Sequence, residues 1–167
     1  FLNLIVLKYL CFIFLFLIEL HACAQKFNFK QIFTIPDQNQ LWVPDNTGSI
    51  YLYGKRILTK ASQSQLPSFS QSIKSMGDID DVLPVNALKT YIFSKDQQQL
   101  CLIDNTLSIQ NQCIDLEEFE ILYAQACAIS SRPDLVYVYD QFNSSLFLID
   151  TKNKTTVQKV SNLEGII

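Results

Sequence analysis

Residues 91–107 read YIFSKDQQQLCLIDNTL. Two apolar runs, Tyr91-Ile92-Phe93 and Leu100-Cys101-Leu102-Ile103, flank a polar turn at 95–99, a pattern that predicts a β-hairpin. The phrase recurs at 135–150, LVYVYDQFNSSLFLID, and more loosely at 41–53, LWVPDNTGSIYLY. An aspartate marks each turn, at Asp96, Asp140 and Asp45, which spaces the copies 51 and then 44 residues apart.

A unit of that length, filled with short strands, predicts four-stranded propeller blades. Blades pack on neighbours through both faces, which accounts for strands such as LCLI and LFLI that are apolar throughout instead of alternating. The expected fold is therefore all-β, a partial β-propeller of about three four-stranded antiparallel blades, preceded by a helical signal segment. Residues 25–167 number 143, too few for the four to eight blades of a closed ring. An uncovered apolar face on the last blade is the consequence expected.

Outside the hairpins the strands are weaker. Residues 26–34 alternate, with Phe27 and Phe29 on one face, and read as an outer strand feeding the first repeat. Ile57 and Leu58 begin a return strand, whereas 61–75, rich in Ser and Gln, reads as a loop or a weakly paired edge. Residues 108–116 are expected as a fourth strand and 121–129, ILYAQACAI, as an inner one.

The 167-residue chain is 49% apolar and 12% aromatic, enough for a packed core, and its net charge of −3 offers no basic field for nucleic acid. Residues 9–18, YLCFIFLFLI, form an uninterrupted apolar run with Lys8 before it. Ten residues make only about 15 Å of helix, roughly half a bilayer core, so the segment reads as a secretory signal and not as a spanning helix. Residues 1–24 are thus a signal peptide cut after Ala24, or a lipoprotein signal ending before Cys23, the candidate lipidation site. The incomplete propeller domain is 25–167. With Phe1 at its head and Met76 its only methionine, the sequence is expected to be a piece of a longer reading frame.

Residues 81–89, Phe93, Asp96 and 102–108 (LIDNTLS) together resemble a family of exported, propeller-like proteins of Bacteroidetes, in which a D-V-x-N-P-x-K phrase precedes a hairpin ending L-D-N-x-L. Tyr137-Val138-Tyr139-Asp140 with Leu148-Ile149-Asp150 resembles that family's next blade. The resemblance implies an envelope or secreted protein and carries no reaction, catalytic residue, cofactor or metal site with it.

The chemistry is sparse. The only histidine, His21, lies in the signal segment, which removes Ser-His-Asp, Cys-His and HExxH chemistry from the mature chain. Cys101, Cys113 and Cys127 lack CxxC spacing and read as buried thiols, with a pairing of two as the alternative in an oxidising compartment. The run Asp78-Ile79-Asp80-Asp81 reads as a solvated turn, with calcium ligation or acid–base work on glycans as the sharper readings. Glu117, Glu118 and Glu120 read as a solvated rim. Trp42, Tyr51, Tyr53, Tyr137 and Tyr139 read as packing residues, with a sugar-stacking surface as the alternative.

The expected function is an exported, envelope-associated binding or scaffold propeller, extracytoplasmic, with a protein or glycan partner and a possible outer-membrane attachment by a lipid on Cys23. The alternative is a glycan hydrolase or lyase working through Asp78, Asp80 or Asp81. The first step is checked by the intact mass of the chain recovered from cells. It is expected to lack 1–24, or to begin at Cys23 with a diacylglycerol and an acyl chain added; a species retaining 1–20 rules out a cleaved leader.

Overall fold

A computed structural model describes residues 40–62 and 65–164. The signal segment, Cys23 and the outer strand expected at 26–34 lie outside the described residues. Twelve strands form three four-stranded antiparallel sheets, each in simple sequence order. Blade 1 comprises β1 Leu41–Pro44, β2 Ser49–Gly54, β3 Ile57–Ser62 and β4 Gln65–Ser72. Blade 2 comprises β5 Asp81–Pro84, β6 Thr90–Ser94, β7 Gln99–Ile103 and β8 Ile109–Asp115. Blade 3 comprises β9 Ala124–Ile129, β10 Leu135–Asp140, β11 Ser145–Asp150 and β12 Thr155–Val160. This is the three-bladed partial propeller that the repeat predicts.

The central blade shows why its strands are apolar throughout. On β6, Tyr91 and Phe93 join the core shared with blade 3, while Ile92 joins the core shared with blade 1. On β7, Leu100 faces blade 3, and Cys101 and Ile103 face blade 1. Period-two alternation persists, but both of its faces are dry.

The repeat has a different register from the one its aspartates mark. Residues 41–53 are strands one and two of blade 1, Leu41 pairing with Tyr53 and Pro44 with Ile50. The hairpins at 91–103 and 135–150 are strands two and three of their blades. Asp45 therefore occupies a first-to-second-strand turn, equivalent to Asn86 and Ser130 and not to Asp96. Asp140 ends β10 as Ser94 ends β6, which leaves exposed Asp96 matched to Phe142. All three first turns use one device: the side chains of Asp45, Asn86 and Ser130 accept hydrogen bonds from backbone N–H groups two residues on. Because Asp, Asn and Ser serve interchangeably in such turns, aspartate identity is a poor marker of register.

Short lead-in segments tie blade to blade. Ile79 N donates to Lys55 O in the second turn of blade 1, at 2.7 Å, and Asp80 Oδ2 accepts from Lys95 N in the equivalent turn of blade 2, at 2.7 Å. One blade on, the Gln98 side chain accepts from Ala124 N at 2.6 Å and donates to Ala124 O at 3.3 Å, an amide acting as a strand edge.

Within 61–75, β4 pairs with β3 as an edge strand, the second of the two readings the sequence left open. Cys101 and Cys113 are not thiols but a disulfide, closed where the β7–β8 register slips and 111–113 bulge opposite Cys101. A loop of this size contributes about 3 kcal/mol in the chain-entropy account. Cys127 is a buried free thiol, as expected.

Removing a ring that fills a core between two blades is more costly than removing one that is partly exposed. Phe93→Ala is expected to cost about 3–5 kcal/mol. Tyr137→Ala is expected to stay within about 1 kcal/mol in the isolated chain. Urea unfolding followed by circular dichroism checks the pair, and equal losses would contradict the assignment of faces.

Candidate functional site

The acidic run does not assemble a site. Asp78 is exposed, with Arg56 Nε at 3.7 Å. Asp80 is engaged by Lys95 N, and Asp81 accepts from Val82 N at 2.8 Å and from the Tyr53 hydroxyl. Burial raises the Asp81 carboxyl above its ordinary value despite those two bonds, and burial together with the Asp81 charge raises the Tyr53 phenol. Three neighbouring aspartates thus have three separate partners. Glu117, Glu118 and Glu120 lie on or beside the 3-10 turn Leu116–Phe119, exposed, while Leu116 and Phe119 enter the core. Among the described residues no group of three His, Cys, Asp or Glu side chains could hold a metal ion.

The aromatic residues divide. Tyr51 and Tyr53 are core residues, as expected of packing side chains, but Trp42 is 57% exposed and Tyr137 is also exposed. Trp42 lies on β1, on the face of blade 1 turned away from blade 2.

The described site with ligand-binding shape is a cleft of about 520 Å³ between blades 2 and 3, at the end where first turns and third turns meet. Lys89 and Asp134 come from the first turns of the two blades, and Thr151, Lys152 and Lys154 from the third turn of blade 3. Its floor is a hydroxyl chain. The Thr151 hydroxyl donates to Asp134 O at 2.8 Å, so the Tyr91 hydroxyl, 2.8 Å from Thr151 Oγ1, is the donor in that contact. Burial raises the Tyr91 phenol, which keeps it neutral and donating. Lys89 Nζ lies 3.2 Å from Asp134 Oδ1. Asn111, held at φ 61° in the β8 bulge, and Gln112 bring amide groups to the rim.

Three ammonium groups line the cleft against the one lining carboxylate of Asp134, with Glu118 Oε2 4.0 Å from Lys154 Nζ at its edge, on a chain whose net charge is −3. Its volume lies in the range of small-molecule sites. Ammonium, amide and hydroxyl groups together suit an anionic, hydrogen-bonding ligand. The sequence reading missed Lys89, Lys152 and Lys154; their signal was lysine in two kinds of turn that close at one end of a blade, legible only in the correct repeat register.

The turn aspartates have structural work. Asp140 is fully buried, and its carboxylate accepts from the N–H groups of Leu122, Tyr123 and Phe142 and from Asn143 Nδ2. Burial alone would raise its pKa, but these donors outweigh burial and hold it below the ordinary value. Asp104 and Asp150 are lowered as well, Asp104 first by the Thr106 hydroxyl and Asp150 first by Asn153 N–H. Asp45 is opposed by burial and lowered by Thr47 and Ser49, with Lys60 Nζ at 3.8 Å. Asp45 and Asp104 open matching turns, DNTGS and DNTLS, whose fourth residues both have positive φ: Gly48 at 84° and buried Leu107 at 65°.

No family model matches the sequence, and no curated protein matches it. Among solved structures the chain is similar to residues 644–1017 of HIRA, with TM-score 0.50 and 10% identity over 73% of this chain and 37% of that one. It is also similar to BamB from Moraxella catarrhalis, with TM-score 0.49, 15% identity and coverage of 75% and 36%, and to AztD from Citrobacter koseri, with TM-score 0.48, 16% identity and coverage of 68% and 31%. At such identities the likeness to HIRA shows the fold, a β-propeller, and nothing finer. The chain spans about a third of the length of these neighbours.

Carboxylates whose folded pKa is depressed supply stability that is present above the unfolded value, about 3.9, and lost as pH falls through the folded one. Asp45, Asp104, Asp140 and Asp150 all act in this direction, whereas the raised Asp81 acts in the opposite one and is relieved on protonation. Stability is therefore expected to decline below about pH 4. Asp140→Asn removes one acceptor oxygen from a buried cluster of donors, and is expected to cost about 1–3 kcal/mol at neutral pH and to flatten the acid limb. Urea midpoints measured from pH 2 to 7 check both, and an unchanged acid limb in the variant would refute the assignment.

Proposed function

We propose that this chain is part of an exported, envelope-associated binding or scaffold propeller whose cleft between blades 2 and 3 engages an anionic protein or glycan partner. The observation that carries the reading is the cluster of Lys89, Lys152 and Lys154 over the Tyr91–Thr151–Asp134 chain. Export is supported by the signal-like run at 9–18 and by the Cys101–Cys113 disulfide, a bond that persists in oxidising compartments. Membership of the exported Bacteroidetes family, and tethering to the outer membrane by a lipid on Cys23, belong to the same proposal.

The alternative, a glycan hydrolase or lyase, is favoured by one observation, the raised pKa of half-buried Asp81, which suits a general acid. Its neighbours count against it, because Asp80 is held by Lys95 N and Asp78 faces Arg56.

Binding of acidic and neutral oligosaccharides and of an acidic peptide, measured by calorimetry, separates the readings. Acidic probes are expected to bind, with affinity falling as salt is raised. The Lys152→Glu, Lys154→Glu double variant is expected to weaken binding at least about tenfold with unchanged circular dichroism. Equal binding by wild type and variant defeats the cleft assignment, and glycan cleavage that disappears in Asp81→Asn establishes the hydrolase instead.

A further inference from the structure

The two junctions between blades differ at the position beside a buried tyrosine. Tyr51 pairs across its sheet with Lys60, and the equivalent Tyr91 pairs with Leu102. Between blades 1 and 2, Lys60 is only 8% exposed, with Nζ 5.0 Å from the centre of the Tyr51 ring and 3.8 Å from Asp45 Oδ2. The chain's own cation fills the space over that tyrosine. Between blades 2 and 3, Leu102 has no charged head to do so, and it lines the cleft beside Tyr91.

What the cleft offers a ligand divides by hydrogen-bonding sense. The Tyr91 hydroxyl gives its proton to Thr151 Oγ1, and Thr151 gives its own to Asp134 O, at 2.8 Å each. Both hydroxyls are left with lone pairs alone, and with Lys89 Nζ against Oδ1, Asp134 Oδ2 adds another acceptor. A ligand composed of acceptors, such as a sulfate or a phosphodiester, sets oxygen against oxygen on this floor. The rim is the reverse, since Lys152 and Lys154 bring ammonium donors. A ligand that satisfies both carries anionic oxygens at one end and hydrogen-bond donors at the other.

Asn111 and Gln112 supply both senses at once, because an amide donates and accepts. Among the described residues neither amide is hydrogen-bonded within the chain, whereas the neighbouring Gln110 side chain is held by Asp104 Oδ2 at 2.8 Å. The backbone fixes their place: Asn111 has φ 61°, and the bulge that contains it is closed by the Cys101–Cys113 disulfide. Leu102 and Ile114 give the wall an apolar part.

We propose that the cleft takes a short acidic saccharide, a sugar with free vicinal hydroxyls and a carboxylate, and that Asn111 and Gln112 are its specificity-determining residues. This assignment rests on the cleft engaging an anionic partner and narrows that partner to one chemistry. The carboxylate meets Lys152 and Lys154, the vicinal hydroxyls donate to the Tyr91 and Asp134 oxygens and bond with the two amides, and a C–H face of the ring covers Leu102 and Ile114. A peptide suits the floor less well. Its N–H donors point alternately to opposite sides of an extended chain, while the floor acceptors lie side by side, Tyr91 Oη 2.8 Å from Thr151 Oγ1. The cleft's 520 Å³ is of small-ligand size.

Calorimetry of the purified chain with trigalacturonate, its methyl ester and triglutamate tests this, the peptide matching the charge without the sugar hydroxyls. Trigalacturonate is expected to bind at least about tenfold more tightly than either of the others. Asn111→Gly keeps the positive φ while removing the amide. Combined with Gln112→Ala, it is expected to weaken the saccharide at least about tenfold and to leave the peptide unchanged, with the same circular dichroism. Should that pair fold poorly, Gln112→Ala alone carries the comparison. Lys152→Glu with Lys154→Glu is expected to weaken both acidic probes. Saccharide and peptide binding alike, or an amide variant that treats them alike, overturns the saccharide assignment and leaves an anion-binding cleft standing. No binding of either acidic probe, or binding indifferent to the lysine variant, removes the cleft reading and this assignment together.

Discussion

A four-stranded sheet whose residues are apolar on both faces cannot hide either face within itself. Every other feature of this chain follows from that constraint. Blade 2 meets it completely, sending Ile92, Cys101 and Ile103 to one side and Tyr91, Phe93 and Leu100 to the other. Blades 1 and 3 are each packed against blade 2 on one side only. The lead-in segments exist to keep neighbours in register: Ile79 on Lys55 O, and Gln98 on both backbone groups of Ala124, join sheets that share no strand-to-strand pairing.

The same constraint decides what the polar residues can do. With strand interiors given over to packing, carboxylates are confined to turns, where backbone N–H groups at bends need acceptors. Asp45, Asp104, Asp140 and Asp150 meet that need and are held ionised by it. Of the aspartates read for acid–base work, Asp80 and Asp81 accept from the N–H groups of Lys95 and Val82, and Asp78 faces Arg56. The cations gathered at the turn ends are Lys89, Lys152 and Lys154, and the cleft they line holds more ammonium than carboxylate groups although the chain is acidic.

The hairpins at 91–103 and 135–150 were legible because a turn-forming polar stretch between apolar runs of equal length has few other folds open to it. The register of the first repeat was not, because Asp45-Asn46-Thr47-Gly48 suits a first turn as well as a second. Only burial separates them: Tyr51 and Tyr53 align with Tyr91 and Phe93 once it is known which face each blade turns to the next, and the repeat spacing then becomes 40 and 46 residues. The disulfide was hidden for a related reason. A separation of 12 between Cys101 and Cys113 joins them only if β7 and β8 pair with a bulge opposite Cys101, and a bulge is a property of the paired strands and leaves little trace in either one.

The cleft lay furthest from the sequence. Lys89 and Lys152 are 63 residues apart and acquire a common site only when two blades pack side by side. The sequence by itself determined that the chain is a β-repeat with dry strands and polar turns, because local alternation, turn chemistry and apolar content act over a few neighbouring residues. Only the tertiary structure decided which turns are equivalent, which cysteines pair, which aromatics are covered and which lysines converge, because each of these depends on what the neighbouring blade brings to the other side of the interface.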